Sequence, residues 1–273
     1  MIYSEADLSI DAYHARPHVS HSKLRDFDSL GPRGYYARHI ARTDKREDTQ
    51  AFAFGRAAED YLRFALDGDR RHLDGYAFKP DGLDGRSKGG KAWLAEHAHL
   101  TVLSGADEHA LRMIADNALS NAKVRALLEG AIAQPTWDQA GAGRWPGAQS
   151  RPDWHSAKAS ATLDLKTTNS LADILGGSRA VTYGYHSQAA MAADLGAHNG
   201  LAVARSALLV AEKAGKHRVV LAWIDEELIG HGRTWLELQR ARLAAYYERD
   251  AWPLVEHEEV VIKAPAWLGK DAW

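Results

Sequence analysis

Two nearby stretches decide the fold of this chain, Ser150-Arg151-Pro152-Asp153 and Ala161-Thr162-Leu163-Asp164-Leu165-Lys166-Thr167-Thr168. The second stretch has the alternating character of a strand, in which successive side chains point to opposite faces. Asp164 and Lys166 therefore share a polar face, and the mainly apolar residues between them share a face that suits a core. The residues that separate the two stretches allow a hairpin turn, which would bring Asp153 next to Asp164.

Two carboxylates and a lysine that converge on a strand pair indicate a site for a divalent metal with a basic partner. Carboxylate oxygens are hard ligands of the kind that Mg²⁺ prefers. The alternative is an exposed ion pair between Asp164 and Lys166 without a chemical role, which would contribute less than about 1 kcal/mol. Taken alone, the spacing of these residues does not separate the two interpretations.

The composition is that of an ordinary globular chain of 273 residues, with 45% hydrophobic and 26% charged residues. The absence of cysteine excludes disulfides, cysteine nucleophiles, thiolate-bound zinc and iron–sulfur clusters. The formal net charge of −2 argues against coating of nucleic acid through overall positive charge, although 34 Lys and Arg residues can still line one groove. The acidic start of the chain and the lack of about 18 uninterrupted apolar residues predict neither a signal peptide nor a membrane span, and hence a cytoplasmic protein.

The order of predicted elements indicates an α/β fold with a mixed central sheet flanked by helices. We expect a single domain over residues 1–273, with a mainly helical part to about residue 130, an α/β core over about 131–250 and a tail over 251–273. Within this plan we predict a loop over 67–86, a helix over 104–128, a three-strand meander over 134–168, two central strands covered on both faces over 201–212 and 217–224, and a helix over 225–249.

Two further groups of charged residues lie outside the strand pair. Glu59 belongs to a helix with apolar residues at helical spacing, and on its own it is more simply a surface charge. Arg86, Lys88 and Lys91 surround a glycine-rich helix start, where backbone N–H groups and positive charge could bind phosphate. The spacing of a Walker loop is absent, and a solvated basic loop explains these three residues equally well.

Three motifs in order resemble the PD-(D/E)xK nuclease superfamily. They are Arg151-Pro152-Asp153, then Asp164-Leu165-Lys166-Thr167-Thr168, then Tyr185-His186-Ser187-Gln188. Within the superfamily the chain is most similar to the RecE-type (exonuclease VIII-like) phage recombination exonucleases, and more distantly to lambda-type exonuclease and RecB-like nuclease domains. The resemblance implies a restriction-endonuclease-like core and extends over most of the chain, including the helix of Glu59 and the stretch 86–92.

Carried over residue by residue, the resemblance implies a Mg²⁺ or Mn²⁺ site. Asp153 and Asp164 would be ligands through their carboxylates, and Leu165 through its backbone carbonyl. Glu59 stands where RecE-type and RecB-like proteins usually have histidine, and glutamate is an alternative in the superfamily. Such a metal lowers the pKa of bound water and neutralises charge on a phosphodiester, which are the two requirements of its hydrolysis.

The resemblance also implies roles for the groups around that metal. Lys166 would position or activate the attacking water and stabilise charge on the phosphate. Gln188 would hold the nucleophile or the scissile strand as a further catalytic residue. Tyr185 and Arg151 would contact DNA, together with the basic stretch that contains Arg86, Lys88 and Lys91.

The resulting expectation is a metal-dependent deoxyribonuclease that degrades linear double-stranded DNA from the 5′ end in phage-type recombination. The same resemblance implies a homo-oligomeric ring and a single-strand annealing protein as partner, and no membrane. Two alternatives stay open: a RecB-like nuclease of other polarity or an endonuclease, and a non-catalytic DNA-binding or assembly protein on the same fold.

Overall fold

The computed structural model describes residues 1–45 and 47–253. Its helices are α1 (Ile10–Ala15), α2 (His21–Tyr35), α3 (Gln50–Asp67), α4 (Lys88–Glu96), α5 (Gly105–Ser120), α6 (Ala122–Leu128), α7 (Leu171–Leu175), α8 (Ser178–Thr182), α9 (Tyr185–His198) and α10 (Glu226–Arg249). Its strands are β1 (Ile2–Tyr3), β2 (Tyr76–Lys79), β3 (Thr101–Ser104), β4 (Ile132–Ala133), β5 (Thr136–Ala142), β6 (Trp145–Ser150), β7 (Trp154–Ser156), β8 (Ala161–Thr168), β9 (Arg205–Glu212) and β10 (Val219–Ile224). Within these residues no helix combines the length and apolar character of a transmembrane span.

The central sheet has five strands in the order β10-β9-β8-β7-β4. β8 runs parallel to β9, and the other neighbouring pairs in this sheet are antiparallel. β8 is buried over its first five residues and β9 over its six central residues, which is why these parts of the sequence are mainly apolar. The predicted α/β fold with a mixed sheet is therefore confirmed.

Helices cover the central sheet on both faces. Leu163 and Leu165 of β8 pack in one hydrophobic cluster with buried side chains of α3, α5 and α6. On the opposite face, Leu208 and Val210 of β9 pack with α7 and α8. Because Asp164 and Lys166 are paired with Leu208 and Val210, their side chains lie on this second face, near α9.

A smaller sheet of β1, β5 and β6 stands beside the central one. Its Trp137 and Ala148 form a second core with α2, α9 and α10. The predicted three-strand meander was therefore wrong, because β5 pairs with β6 and β1 in the smaller sheet, whereas β7 and β8 form a hairpin in the central sheet. Pro152 lies in the link between the two sheets, and it cannot donate a hydrogen bond to a strand ladder.

Three other predicted elements need correction. The predicted loop over 67–86 contains β2, which pairs in parallel with β3, a strand that we did not predict. The predicted helix over 104–128 is two helices, because the side chain of Asn121 accepts hydrogen bonds from Lys123 N and Val124 N and starts α6. β10 is an edge strand of partial burial and not a central one.

The predicted division of the chain into a mainly helical part, an α/β core and a tail stays a prediction. Residues 254–273 of the proposed tail lie outside the described part of the chain. The mainly helical segment before residue 130 also holds β1, β2 and β3.

Candidate active site

The β7–β8 hairpin brings the two aspartates together. Trp154 is paired with Leu163, so the next position in the register places Asp153 opposite Asp164. Asp153 precedes β7 and turns its carboxylate toward β8, where Oδ2 accepts a hydrogen bond of 2.7 Å from Leu165 N. The proximity expected from the sequence is present, although Trp154–Ser156, which were expected in the turn of the hairpin, form strand β7, and the turn lies at 157–160.

The backbone carbonyl of Leu165 faces the same side as its N–H. In a strand the N–H and C=O of one residue point to the same neighbour, here the β7 side. The register extended by two positions places Pro152 opposite Leu165. Pro152 has no N–H to donate, so a strand partner at this position cannot satisfy the Leu165 carbonyl. The Pro-Asp pair therefore stops the ladder beside Leu165 and supplies a carboxylate there.

Asp164 is the centre of a polar cluster on the α9 side of the sheet. The residue is 4% exposed. Its Oδ1 accepts a hydrogen bond of 2.9 Å from Gln188 Nε2 of α9 and lies 3.5 Å from Lys166 Nζ. Lys166 Nζ in turn lies 5.2 Å from the ring centroid of Tyr185, within range of a cation–π contact. The structure therefore brings together four of the residues that the sequence predicted.

Glu59 approaches the cluster from α3. Its Oε1 accepts a hydrogen bond of 2.7 Å from Gln134 Nε2. The backbone N–H of Gln134 donates to Asp153 O at 2.8 Å, which ties this residue to the start of the hairpin. Gln134 has a φ of 44°, an unusual conformation for a residue other than glycine. This role of Gln134 was not predicted, because no spacing in the sequence indicates a side chain that donates a hydrogen bond to a carboxylate 75 positions away.

The acids of this site repel one another. Burial, followed by the charge of Asp164, raises the pKa of Asp153 to about 7. Burial and the charge of Asp153 raise the pKa of Glu59 well above its ordinary value. Burial alone would lower the pKa of Lys166, but the attraction of Asp164 and Asp153 outweighs it and the pKa is raised. The site therefore combines three acids with one lysine, and Asp153 and Glu59 tend to keep a proton in the absence of a further cation.

The donor set fits a hard divalent cation. Asp153, Asp164, Glu59 and the carbonyl of Leu165 are oxygen donors, and buried carboxylates with raised pKa values gain most from a nearby positive charge. In the geometry of the described residues, however, no group of three or more His, Cys, Asp or Glu side chains converges closely enough to hold a metal. Each carboxylate is instead hydrogen bonded to its own neighbour, namely Leu165 N, Gln188 or Gln134.

A buried contact between α2 and α9 sets the start of α9, and with it Tyr185 and Gln188. His21 Nε2 lies 2.9 Å from Ser187 Oγ. Gly184, just before α9, has a φ of +73°, and a Cβ atom there would lie 3.2 Å from the His21 ring. Burial lowers the pKa of His21 to about 3, so its ring is neutral at physiological pH. The motif of Tyr185 and Gln188 is thus positioned by His21, through a contact with α9 that the sequence did not predict.

Of the predicted DNA contacts, Tyr185 lies in this cluster, and the other four have no described hydrogen bond to its acids. Arg86, Lys88 and Lys91 lie at the start of α4, which Ser87 caps, and the contacts described for the chain do not connect them with the acids. Arg151 lies two residues before Asp153, but its Nε donates to Thr136 Oγ1 at 2.6 Å and its guanidinium lies 4.7 Å from the Tyr13 ring centroid. Roles in DNA binding for these four residues stay predictions.

The chain matches no protein-family model and no curated protein. Among solved structures it is similar to the crystal structure of a protein from Eubacterium rectale described as a "Putative exonuclease", with a TM-score of 0.65 over 97% of this chain and 96% of that chain. Sequence identity is 15%, so the similarity establishes the fold. The activity has to be argued from the site, because one fold supports many activities.

Proposed function

We propose that this protein is a metal-dependent deoxyribonuclease of the PD-(D/E)xK superfamily. The observation that carries the proposal is the placement of Asp153, Asp164 and Lys166 on one hairpin, with Gln188 bound to Asp164. The fold shared with the Eubacterium rectale protein supports it. Asp153, Asp164 and the Leu165 carbonyl would hold Mg²⁺ or Mn²⁺, with Glu59 as a further ligand if it exchanges its bond to Gln134.

A bound metal, Lys166 and Gln188 would have separate roles in the proposed hydrolysis. A bound Mg²⁺ would supply a water of lowered pKa and positive charge beside the phosphate. Lys166 keeps its proton, because Asp164 and Asp153 favour the charged form, and it would donate a hydrogen bond to a phosphate oxygen as negative charge develops there. Gln188 holds Asp164 in place through its amide N–H, and its amide oxygen would orient the attacking water.

The finer assignment is a RecE-type exonuclease. We propose degradation of linear double-stranded DNA from the 5′ end, in phage-type recombination in the cytoplasm, by a homo-oligomeric ring that passes the remaining strand to an annealing protein. This assignment is supported by the Pro-Asp, Asp-Leu-Lys and Tyr-His-Ser-Gln motifs in order. Light scattering that shows only a 30.0 kDa monomer at micromolar concentration would contradict the ring.

One experiment tests the activity and its polarity. Linear duplex DNA labelled at either the 5′ or the 3′ end, and closed circular DNA, are incubated with the protein in Mg²⁺, in Mn²⁺ or in EDTA. We expect early release of the 5′ label from linear DNA, no cutting of circles, and loss of activity in EDTA. Early release of the 3′ label would indicate the other polarity, and cutting of circles an endonuclease.

The matched variants are Asp164→Asn, which keeps the shape of the side chain, and Asp194→Asn, which alters an aspartate paired with Arg233 on the surface. Asp164→Asn should reduce cleavage by at least about a thousandfold, because a metal ligand is lost. Asp194→Asn should leave it unchanged. DNA binding without cleavage by the wild-type protein under every metal condition would favour the non-catalytic alternative.

A further inference from the structure

Two arginines flank the acidic site without being part of it. Arg63 follows Glu59 by one turn of α3, and Arg151 precedes Asp153 by two residues. Both guanidinium groups are within electrostatic range of Glu59. A nucleic-acid strand with one phosphate at Asp153 would therefore carry a neighbouring phosphate toward these two positive charges.

A turn near the start of the chain covers both arginines. We name residues 4–8 the Glu5 turn. The carboxylate of Glu5 accepts two hydrogen bonds from Arg63, of which the one from Nη1 to Oε1 is 3.1 Å long. The carbonyl of Leu8 accepts a hydrogen bond from Arg151 Nη2. Glu5 is also within electrostatic range of Arg151, so a single carboxylate counters both cations.

The contact between Glu5 and Arg63 has the geometry of a phosphate contact. The planar guanidinium fork binds carboxylates and phosphates in the same two-bond arrangement. In addition, Arg151 Nη1 is buried without a hydrogen-bond partner in the described part of the chain. Buried donors in folded proteins are nearly always satisfied, so an unpaired one marks a position where a ligand oxygen fits.

We propose that Arg63 and Arg151 form a phosphate subsite beside the acidic cluster, and that the Glu5 carboxylate occupies this subsite until a DNA phosphate replaces it. This inference rests on the proposed nuclease function. Binding of DNA exchanges one anion on Arg63 for another and moves the Glu5 turn away. The turn therefore competes with DNA, and neutral replacements of Glu5 strengthen DNA binding.

The test is a double-mutant cycle between Glu5 and Arg63, with KM and kcat for linear duplex DNA as the readouts. Glu5→Gln should lower KM by about threefold to tenfold with little change in kcat, because a charge-assisted pair no longer competes with the phosphate. Arg63→Ala should raise KM by at least about tenfold and reduce the slope of log affinity against log salt by about 1. Glu5→Gln should have a clearly smaller effect when combined with Arg63→Ala, because Arg151 is then the one subsite cation that Glu5 still counters.

Two controls keep the outcome specific. Glu212→Gln removes another two-bond carboxylate–guanidinium pair, with Arg218, in which both bonds are 3.1 Å, and it should leave KM unchanged. Arg63→Lys keeps the charge without the fork and should give a KM between those of wild type and Arg63→Ala. Circular dichroism on each variant verifies folding. Inorganic phosphate should inhibit Glu5→Gln at a lower concentration than it inhibits wild type.

The outcomes separate this inference from the function on which it rests. If the wild-type protein cleaves DNA while Glu5→Gln leaves both KM and phosphate inhibition unchanged, the subsite is wrong and the nuclease assignment stands. An equal effect of Glu5→Gln in the Arg63→Ala background also overturns the subsite. If the wild-type protein cleaves no DNA with any metal, both the function and the subsite are wrong.

Discussion

At the scale of one residue, Asp153 links the charge of the candidate site to the pH dependence of stability. Its carboxyl group is buried beside Asp164, and the pKa is raised to about 7. Between about pH 4 and pH 7 the folded protein therefore retains a proton that the unfolded chain has already released. Stability from this group is present at the acidic end of that interval and is lost as the pH rises through the folded pKa.

We predict that the free energy of unfolding of the metal-free protein falls between pH 5 and pH 7 by an amount on the order of 1 kcal/mol per pH unit. Asp153→Asn should flatten this dependence and should be more stable than wild type at pH 8, because the repulsion with Asp164 is removed. The measurement is urea unfolding in EDTA at several pH values. Asp69→Asn serves as control, because it alters a carboxylate that is paired with Arg71 and whose pKa of about 2 lies below this pH range. Equal slopes in wild type and Asp153→Asn would contradict the prediction.

At the scale of one element, α9 depends on the chain just before it. Gly184 adopts a left-handed conformation there and leaves room for the His21 ring. We predict that Gly184→Ala lowers the free energy of unfolding by about 1–2 kcal/mol through backbone strain and contact with His21. It should also reduce DNA cleavage by about tenfold or more, because small displacements of Gln188 misplace Asp164 and the nucleophile.

Gly200→Ala is the matched control for that change. Gly200 also has a positive φ, of +77°, but a Cβ atom there meets nothing within 4 Å. The Gly200→Ala variant should have a free energy of unfolding lowered by a similar backbone contribution, and its DNA cleavage rate should be unchanged. Unfolding by denaturant and steady-state cleavage rates measure both quantities, and a parallel loss of cleavage in the two variants would show that α9 placement is not the cause.

Other elements show where sequence patterns are informative. α10 and β8 were predicted because their periodicity or alternation is long and regular, whereas the three residues of β7 were expected in a turn. β2 and β3 have only four residues each, and their pairing is parallel across the intervening α4, so no local signal joins them. Asn121 divides a continuous apolar stripe by a capping hydrogen bond, which a count of hydrophobic spacing does not reveal.

At the scale of the whole molecule, the acidic site lies where the helix layers meet the sheet. Glu59 comes from α3 on one face, and Gln188 from α9, which also packs in the second core. Global unfolding would therefore separate the groups that we propose as metal ligands. A ligand that binds only the folded state stabilises it by about 2.7 kcal/mol at a concentration one hundred times its Kd.

We predict that Mg²⁺ or Mn²⁺ at such a concentration raises the midpoint of thermal unfolding by about 5 °C, since a chain of this size gains about 2 °C per kcal/mol. Asp164→Asn should abolish the shift, and Asp194→Asn should retain it. Differential scanning calorimetry at constant ionic strength measures the change. An equal shift in wild type and Asp164→Asn would place the bound metal elsewhere.

The sequence alone indicated the class of fold and the central residues of the candidate site. Alternation in β8 assigned Asp164 and Lys166 to one face, and the short separation from Asp153 allowed a hairpin; both are local properties of the backbone. The residues that contact or flank these acids are evident only from the tertiary structure. Gln134, His21, Arg63 and Glu5 reach the site or its flank through contacts between elements far apart in the chain. Such contacts follow from how the helices and sheets pack, and no spacing in the sequence indicates which polar side chains of distant elements will meet.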